Sequence, residues 1–173
     1  MKKRFIVLSA VFIILLTGYL IPETVRIPVA GATSRDWNKQ TFWYEPWGTS
    51  GVHKGIDIFG KIGTDVISTT AGLVLYTGEI GKGGNVVLVL GPKWHIHYFA
   101  HLHSIGTSAF SLVTSGDKIA TLGDTGNASG KPAHLHYSIV RIIPMPWKMD
   151  TSTQGYKKAF YLDPGAYLIS HGG

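Results

Sequence analysis

Eight histidines and no cysteine stand among 173 residues, and three groups of histidines could do chemistry. The first is "KPAHLHYSIV" (131–140), where His134 and His136 flank Leu135 at the start of an apolar alternating run. In a β-strand, side chains at i and i+2 stand on one face. The pair would then share a wall, as a metal or proton-transfer site requires. The second is "GVHKGIDIFG" (51–60), with His53 and Asp57 four apart. A helix would bring such a pair together, but Gly55, two isoleucines and the bracketing glycines argue against a helix. In a straight strand the two would lie about 13 Å apart, at roughly 3.3 Å per residue, so the chain has to bend, and Gly55 is where it can. The third is "WHIHYFAHLHS", with His95, His97, His101 and His103. All four have one parity, and an unbroken strand would put them on one face, one working and the others lining a wet groove. Periodicity does not choose among them.

Taken together these residues offer imidazole and carboxylate donors for a borderline ion, with spare imidazoles for protons. The absence of cysteine removes thiolate ligands and disulfides, so a metal has to be held by His, Asp or Glu. Zinc suits such a set: three protein ligands in tetrahedral geometry leave one position open, where water is acidified towards a pKa of about 7. A neighbouring imidazole can take the proton and another can steady an oxyanion. The chemistry is hydrolysis of an acyl bond by activated water. The lack of a GxSxG motif and of any cysteine excludes the commonest covalent routes.

The elements that must position these residues read as strands and turns. From about Ile27, short β-branched or apolar runs ("TDVISTT", "GLVLYTG", "NVVLVLG", "WHIHYFA", "KIATLG", "HLHYSIVRII") alternate with "GKGG", "GPK", "SGD" and "GDTGNASGK". No long amphipathic helix is evident, although "TSAFSLV" suits a helical turn or two. Gly91-Pro92-Lys93 reads as a tight hairpin, and "YLDPGAYL" as a terminal turn with His171 in the tail. The fold class is all-β, a sandwich or open sheet, with functional residues near strand ends and loops. The aromatic run "TFWYEPW", with Phe42, Trp43, Tyr44 and Trp47, suits either a groove wall or core packing of a first strand.

The N-terminus is of another kind. Lys2, Lys3 and Arg4 precede an apolar run from Phe5 to Ile21 broken only by Ser9, Thr17 and Gly18. That is an export signal. An uncleaved anchor with its N-terminus inside is favoured over a cleaved signal peptide, because the small-x-small site Ala30-Gly31-Ala32 lies well beyond the apolar run. The expected division is residues 1–27 as signal anchor and linker, and 28–173 as one functional domain. The net charge of +6 in an exported chain points to anionic envelope polymers and lipid headgroups, not to nucleic acid.

At these residues the sequence resembles the lysostaphin/LytM-type zinc metallopeptidases, over about Pro28 to Leu168. The family's elements come in order: "GVHKGIDI" for HxxxD, "GNVVLVL" for the core strand, "FAHL" for Y-x-H-L, "GDTGNASG" for the Gly-rich loop and "HLH" to close. The resemblance implies an open antiparallel β-sheet groove, a β-sandwich of the duplicated hybrid-motif type, that cleaves peptidoglycan cross-links or stem peptides. It implies that His53, Asp57 and His136 bind one Zn2+ per chain and that His101 and His134 are the catalytic pair. The choice of His101 over its three neighbours rests on the family motif alone. Phe99 stands where the family often has Tyr, and Ser138 where a Glu commonly follows. A non-enzymatic relative that binds the wall or activates an amidase is the alternative, as is a zinc-sequestering protein using the extra histidines. The expected location is the bacterial envelope outside the cytoplasm, held at the membrane by the N-terminal segment, or periplasmic or secreted if that segment is cut.

Overall fold

A computed structural model describes residues 2–172. An apolar helix, α1 (Lys2–Leu20), precedes nine strands: β1 (Ile56–Phe59), β2 (Asp65–Ile67), β3 (Gly72–Ile80), β4 (Gly84–Leu90), β5 (His95–Ile105), β6 (Leu112–Val113), β7 (Lys118–Leu122), β8 (His134–Arg141) and β9 (Tyr161–Leu162). A short helix, α2 (Pro164–Ser170), follows. The strands pair in the order β1-β8-β5-β4-β3-β6, with β2 on β7, β7 on β5 and β9 on β8, and every pairing is antiparallel. The expected open antiparallel all-β fold is what forms.

Alternation along β8 explains how one strand serves both core and groove. Leu135, Tyr137 and Ile139 are wholly buried in the apolar cluster with Ile56, Ile58, Val87, Val89, Phe99 and Leu102. The opposite parity, His134, His136 and Ser138, lines the groove. Because β1 and β5 flank β8, Asp57 and Ala100 both pair with His136. Three adjacent strands therefore converge on one point.

Two segments depart from the sequence expectation. "TSAFSLV" is a turn leading into β6, not helical, because Phe110 and Val74 pair through their backbones. "YLDPGAYL" is more than a turn: Asp163 caps α2 by accepting from the Ala166 amide, with Pro164 at the first helical position, a combination that starts helices well.

α1 is long and apolar enough to cross a membrane. Its contact with the rest of the chain is at its C-terminal end, where Gly18 is its one buried residue among those whose burial is described and the Trp94 indole donates to the Leu15 carbonyl at 2.9 Å. The segment that follows is tied down. Glu23 pairs with Lys93 at 2.7 Å and accepts from the Tyr167 hydroxyl. Val25 and Ile27 pack against the core.

Candidate metal centre and groove

His53 and Asp57 meet because the chain turns between them. The His53 backbone pairs with Trp43 and Tyr44 on one side, while Asp57 is already in β1. The His53 Nε2 lies 3.1 Å from Asp57 Oδ1 instead of the straight-strand separation. Gly55 permits this: a Cβ there would stand 2.5 Å from the Tyr137 carbonyl and 2.6 Å from Ser138 Oγ. His136 completes the cluster, its Nδ1 2.9 Å from Asp57 Oδ1 and 3.0 Å from His53 Nε2.

The outer hydrogen bonds assign the protons. His53 Nδ1 faces the Thr41 carbonyl at 3.1 Å, so it carries N–H and leaves Nε2 as a lone pair. Ser138 Oγ donates to the Lys54 carbonyl at 2.8 Å and lies 3.0 Å from His136 Nε2. The serine's one proton is spent, so His136 Nε2–H donates to it and Nδ1 is left as a lone pair. Burial alone would raise the Asp57 carboxyl, but hydrogen bonds and charge from His136 and His53, which act when a ring carries a proton on its facing nitrogen, outweigh burial and hold it well below the usual carboxylate range, so Asp57 is the ionised member of the cluster. With the ring protons on the outer nitrogens, two imidazole lone pairs and a carboxylate oxygen meet within 2.9–3.1 Å, an arrangement that could hold a cation. Ligands about 2.0–2.1 Å from a tetrahedral centre stand about 3.3–3.4 Å apart, close to this triangle, so the donor set fits a metal ion such as zinc. No other group of three or more such side chains converges in this way among the described residues.

His101 and His134 stand beside the cluster, their rings 5.0 Å apart and edge to face. His101 Nδ1 donates to the Thr125 carbonyl at 2.9 Å and His134 Nδ1 to the Pro132 carbonyl at 2.8 Å. Both therefore hold a free Nε2 for the groove they line. Burial, with His134 and His136 as neighbours, lowers His101 to about 4, so it is neutral at physiological pH.

The expectation of four histidines on one face is corrected here. Val87 pairs with Phe99 but Asn85 with Leu102, so β5 carries one extra residue, a bulge, at which His101 adopts φ 64°. Up to the bulge Ile96, Tyr98 and Ala100 face the groove and His95, His97 and Phe99 face the other way. Beyond it, the reversed parity turns His101 into the groove, and His103 is exposed. A left-handed non-glycine residue is costly, and such outliers gather at functional sites.

His95 and His97 thus line no groove; they are 7% and 0% exposed, with His97 Nδ1 2.6 Å from the Tyr137 hydroxyl. Burial lowers His95 to about 4 and His97 to about 3. Between pH 6.5 and about 4 the unfolded chain binds protons here that the folded chain does not. Stability therefore falls as the pH drops through that window, by up to about 1.4 kcal/mol per pH unit for each histidine. Thermal melts from pH 7 to 4.5 are expected to show a falling Tm, and His97→Gln a shallower fall. Identical slopes would show that His97 is not held neutral by the fold.

The aromatic run is not a core strand. Trp47 lines the groove and stacks on His53 with ring centroids 4.0 Å apart and planes 20° apart. The sequence left Trp47 between groove wall and core packing, and the groove-wall alternative is the one that forms; it gave Ser138 no role of its own. Parity with His136 was the available signal for Ser138.

An antiparallel sheet that floors an open groove of about 900 Å³, with a His/Asp/His cluster and two free imidazoles in it, defines the class: a β-sheet protein with a candidate hydrolytic metal centre. The chain belongs to peptidase family M23, which it matches over residues 51–149. It is 34% identical over 105 residues to the murein hydrolase activator NlpD of Escherichia coli K12, covering 60% of this chain and 27% of that protein. It is 32% identical over 115 residues to the L-Ala–D-Glu endopeptidase of Bacillus subtilis 168, covering 61% and 35%. The chain thus matches about a quarter to a third of the length of these relatives. The catalytic domain of lysostaphin from Staphylococcus simulans superposes with a TM-score of 0.57 at 26% identity, over 72% of this chain and 85% of that one. A zinc-containing peptidase from Vibrio cholerae superposes with 0.56 at 27%, over 68% and 36%.

Proposed function

We propose that this chain is a zinc-dependent endopeptidase that hydrolyses peptide bonds in bacterial peptidoglycan, with His53, Asp57 and His136 as zinc ligands and His101 and His134 as the catalytic pair that handles the water. The convergence of a carboxylate oxygen with two imidazole nitrogens whose ring protons are committed elsewhere carries this reading. Bound zinc supplies Lewis-acid chemistry, polarising a carbonyl oxygen and acidifying water at its open position. The chain's own residues do the rest. His134 Nε2 takes a proton from the attacking water and returns it to the departing amine nitrogen, so that the C–N bond breaks without release of an amide anion. His101, held neutral and oriented by Thr125, offers a second acceptor that fixes the water's other O–H. Trp47 and Thr41 hold the His53 ring in place.

Residues 1–27 act as the anchor and 28–173 as the catalytic domain, which puts the groove outside the cytoplasm in the envelope. The test is elemental analysis of the full chain in detergent micelles together with fragment release from purified sacculi. One zinc per chain, with release abolished by chelation and restored by zinc, is the expected result; release that persists without metal would refute it. Similarity to an activator supports a second reading, in which the groove binds the wall and stimulates another hydrolase. Stoichiometric zinc with no release from any wall type would favour that reading.

Ser138 gives a finer check. Ser138→Ala removes the acceptor that keeps the His136 proton on Nε2, and zinc affinity is expected to fall about 10–100-fold with one zinc still bound at saturation. Competition against a chromophoric chelator reads this. An unchanged affinity would show that the serine does not set the tautomer.

A further inference from the structure

The groove is charged with one sign. Lys54, Lys82 and Lys131 line it, and its one carboxylate is Asp57, already committed to the metal cluster. The three lysines come from separate segments. Lys54 follows His53, Lys82 lies in the Gly81–Gly83 turn between β3 and β4, and Lys131 lies in the loop that delivers β8. Lys93, Lys118 and Lys158 each pair with a carboxylate within 2.6–2.7 Å. Among the described residues the groove lysines have no such ion pair. Lys54 Nζ donates to the Ser50 and Val52 carbonyls at 3.3 and 3.4 Å, and Lys82 Nζ to Thr49 Oγ1 at 2.5 Å. These acceptors are neutral, so the ammonium charges stay uncompensated. In a concave wall their field is focused on whatever enters.

We infer that the groove selects peptides bearing free carboxylates near the scissile bond over uncharged, glycine-rich ones, with Lys54, Lys82 and Lys131 as the specificity-determining residues. This rests on the reading above that wall peptides occupy the groove. A neutral glycine bridge offers three ammonium groups carbonyl acceptors but no counter-charge. An acidic stem peptide supplies the counter-charges that the protein withholds.

The test uses the full-length, zinc-loaded chain in neutral detergent with the His134→Ala substitution, so that affinity is read without turnover. The probes are a tetrapeptide containing D-Glu, tagged with a neutral fluorophore and with both carboxylates free, and the same peptide with both amidated. The free acid is expected to bind about tenfold more tightly at low salt, and the preference to shrink as salt rises. Replacing all three lysines with glutamine should bring the ratio close to one. Lys82→Gln with Lys131→Gln, both on exposed turns, should remove at least half of it even if the triple variant folds poorly. Lys118→Gln, the same loss of charge outside the groove, should leave the ratio unchanged. Equal affinities, or a preference that survives the lysine replacements, would overturn the inference. Turnover by the unsubstituted chain separates the two readings. Equal cleavage of both peptides sinks carboxylate selection and leaves the hydrolase standing. Carboxylate-dependent binding with no cleavage of either sinks the hydrolase and leaves the selection standing.

Discussion

His136→Ala is expected to abolish zinc retention and to lower wall hydrolysis at least about 10³-fold. The His136 side chain provides one of three mutually close donor atoms, 2.9 Å from Asp57 Oδ1 and 3.0 Å from His53 Nε2. Without it two donors remain, too few for a closed structural site or for a three-ligand catalytic one. The several kcal/mol of transition-state stabilisation that a metal supplies is lost with the ion, at 1.36 kcal/mol per decade of rate. The fold itself should survive. Leu135 and Tyr137 on either side point into the core, and the β1-β8-β5 pairing uses backbone groups that alanine retains. Elemental analysis and fragment release, with circular dichroism as the control, read the outcome. A folded variant that digests wall at the unsubstituted rate would remove His136 from the centre.

His134→Ala is expected to separate chemistry from metal binding. Its Nδ1 is held by the Pro132 carbonyl, and it is not one of the three converging donors, so one zinc per chain should remain. Turnover should fall about 10²–10⁴-fold, the usual contribution of a positioned general acid–base. The loss should appear in kcat and kcat/KM together, because proton transfer matters only on the way to the transition state. His101 retains a free Nε2 5.0 Å away, ring to ring, and is the source of whatever activity persists. Loss of zinc along with turnover would mean that His134 supports the metal instead. Unaltered turnover would pass the proton-carrying role to His101.

How much of this was legible in the sequence differs from residue to residue. His134 and His136 could be placed on one face because alternation is a local property: Leu135, Tyr137 and Ile139 claim the core, and the other parity is left for the groove. The His53–Asp57 pair required a bend. Gly55 named the place, but the separation was decided by the backbone of Tyr137 and the side chain of Ser138, more than eighty positions away, which leave no room for a Cβ. The parity of His95, His97, His101 and His103 was sound within a strand and failed at a bulge. A bulge is defined by register against β4, so no window confined to β5 contains it. Ser138 is a similar case, since its role depends on accepting from His136 while donating to the Lys54 carbonyl. The helix over Pro164–Ser170, by contrast, could have been read from Asp163 and Pro164, whose capping chemistry is local.

The sequence by itself determined the all-β class, the apolar N-terminal segment, the donor types available to a metal and the shared face of the HLH pair. The tertiary structure alone decided which donor atoms converge, which nitrogen of each imidazole is free, and which of the β5 histidines reach the groove. The physical reason is one of range. Periodicity and turn chemistry act over a few residues, whereas the candidate centre is assembled from the loop that carries His53, from β1 and from β8, whose pairing joins segments about eighty positions apart.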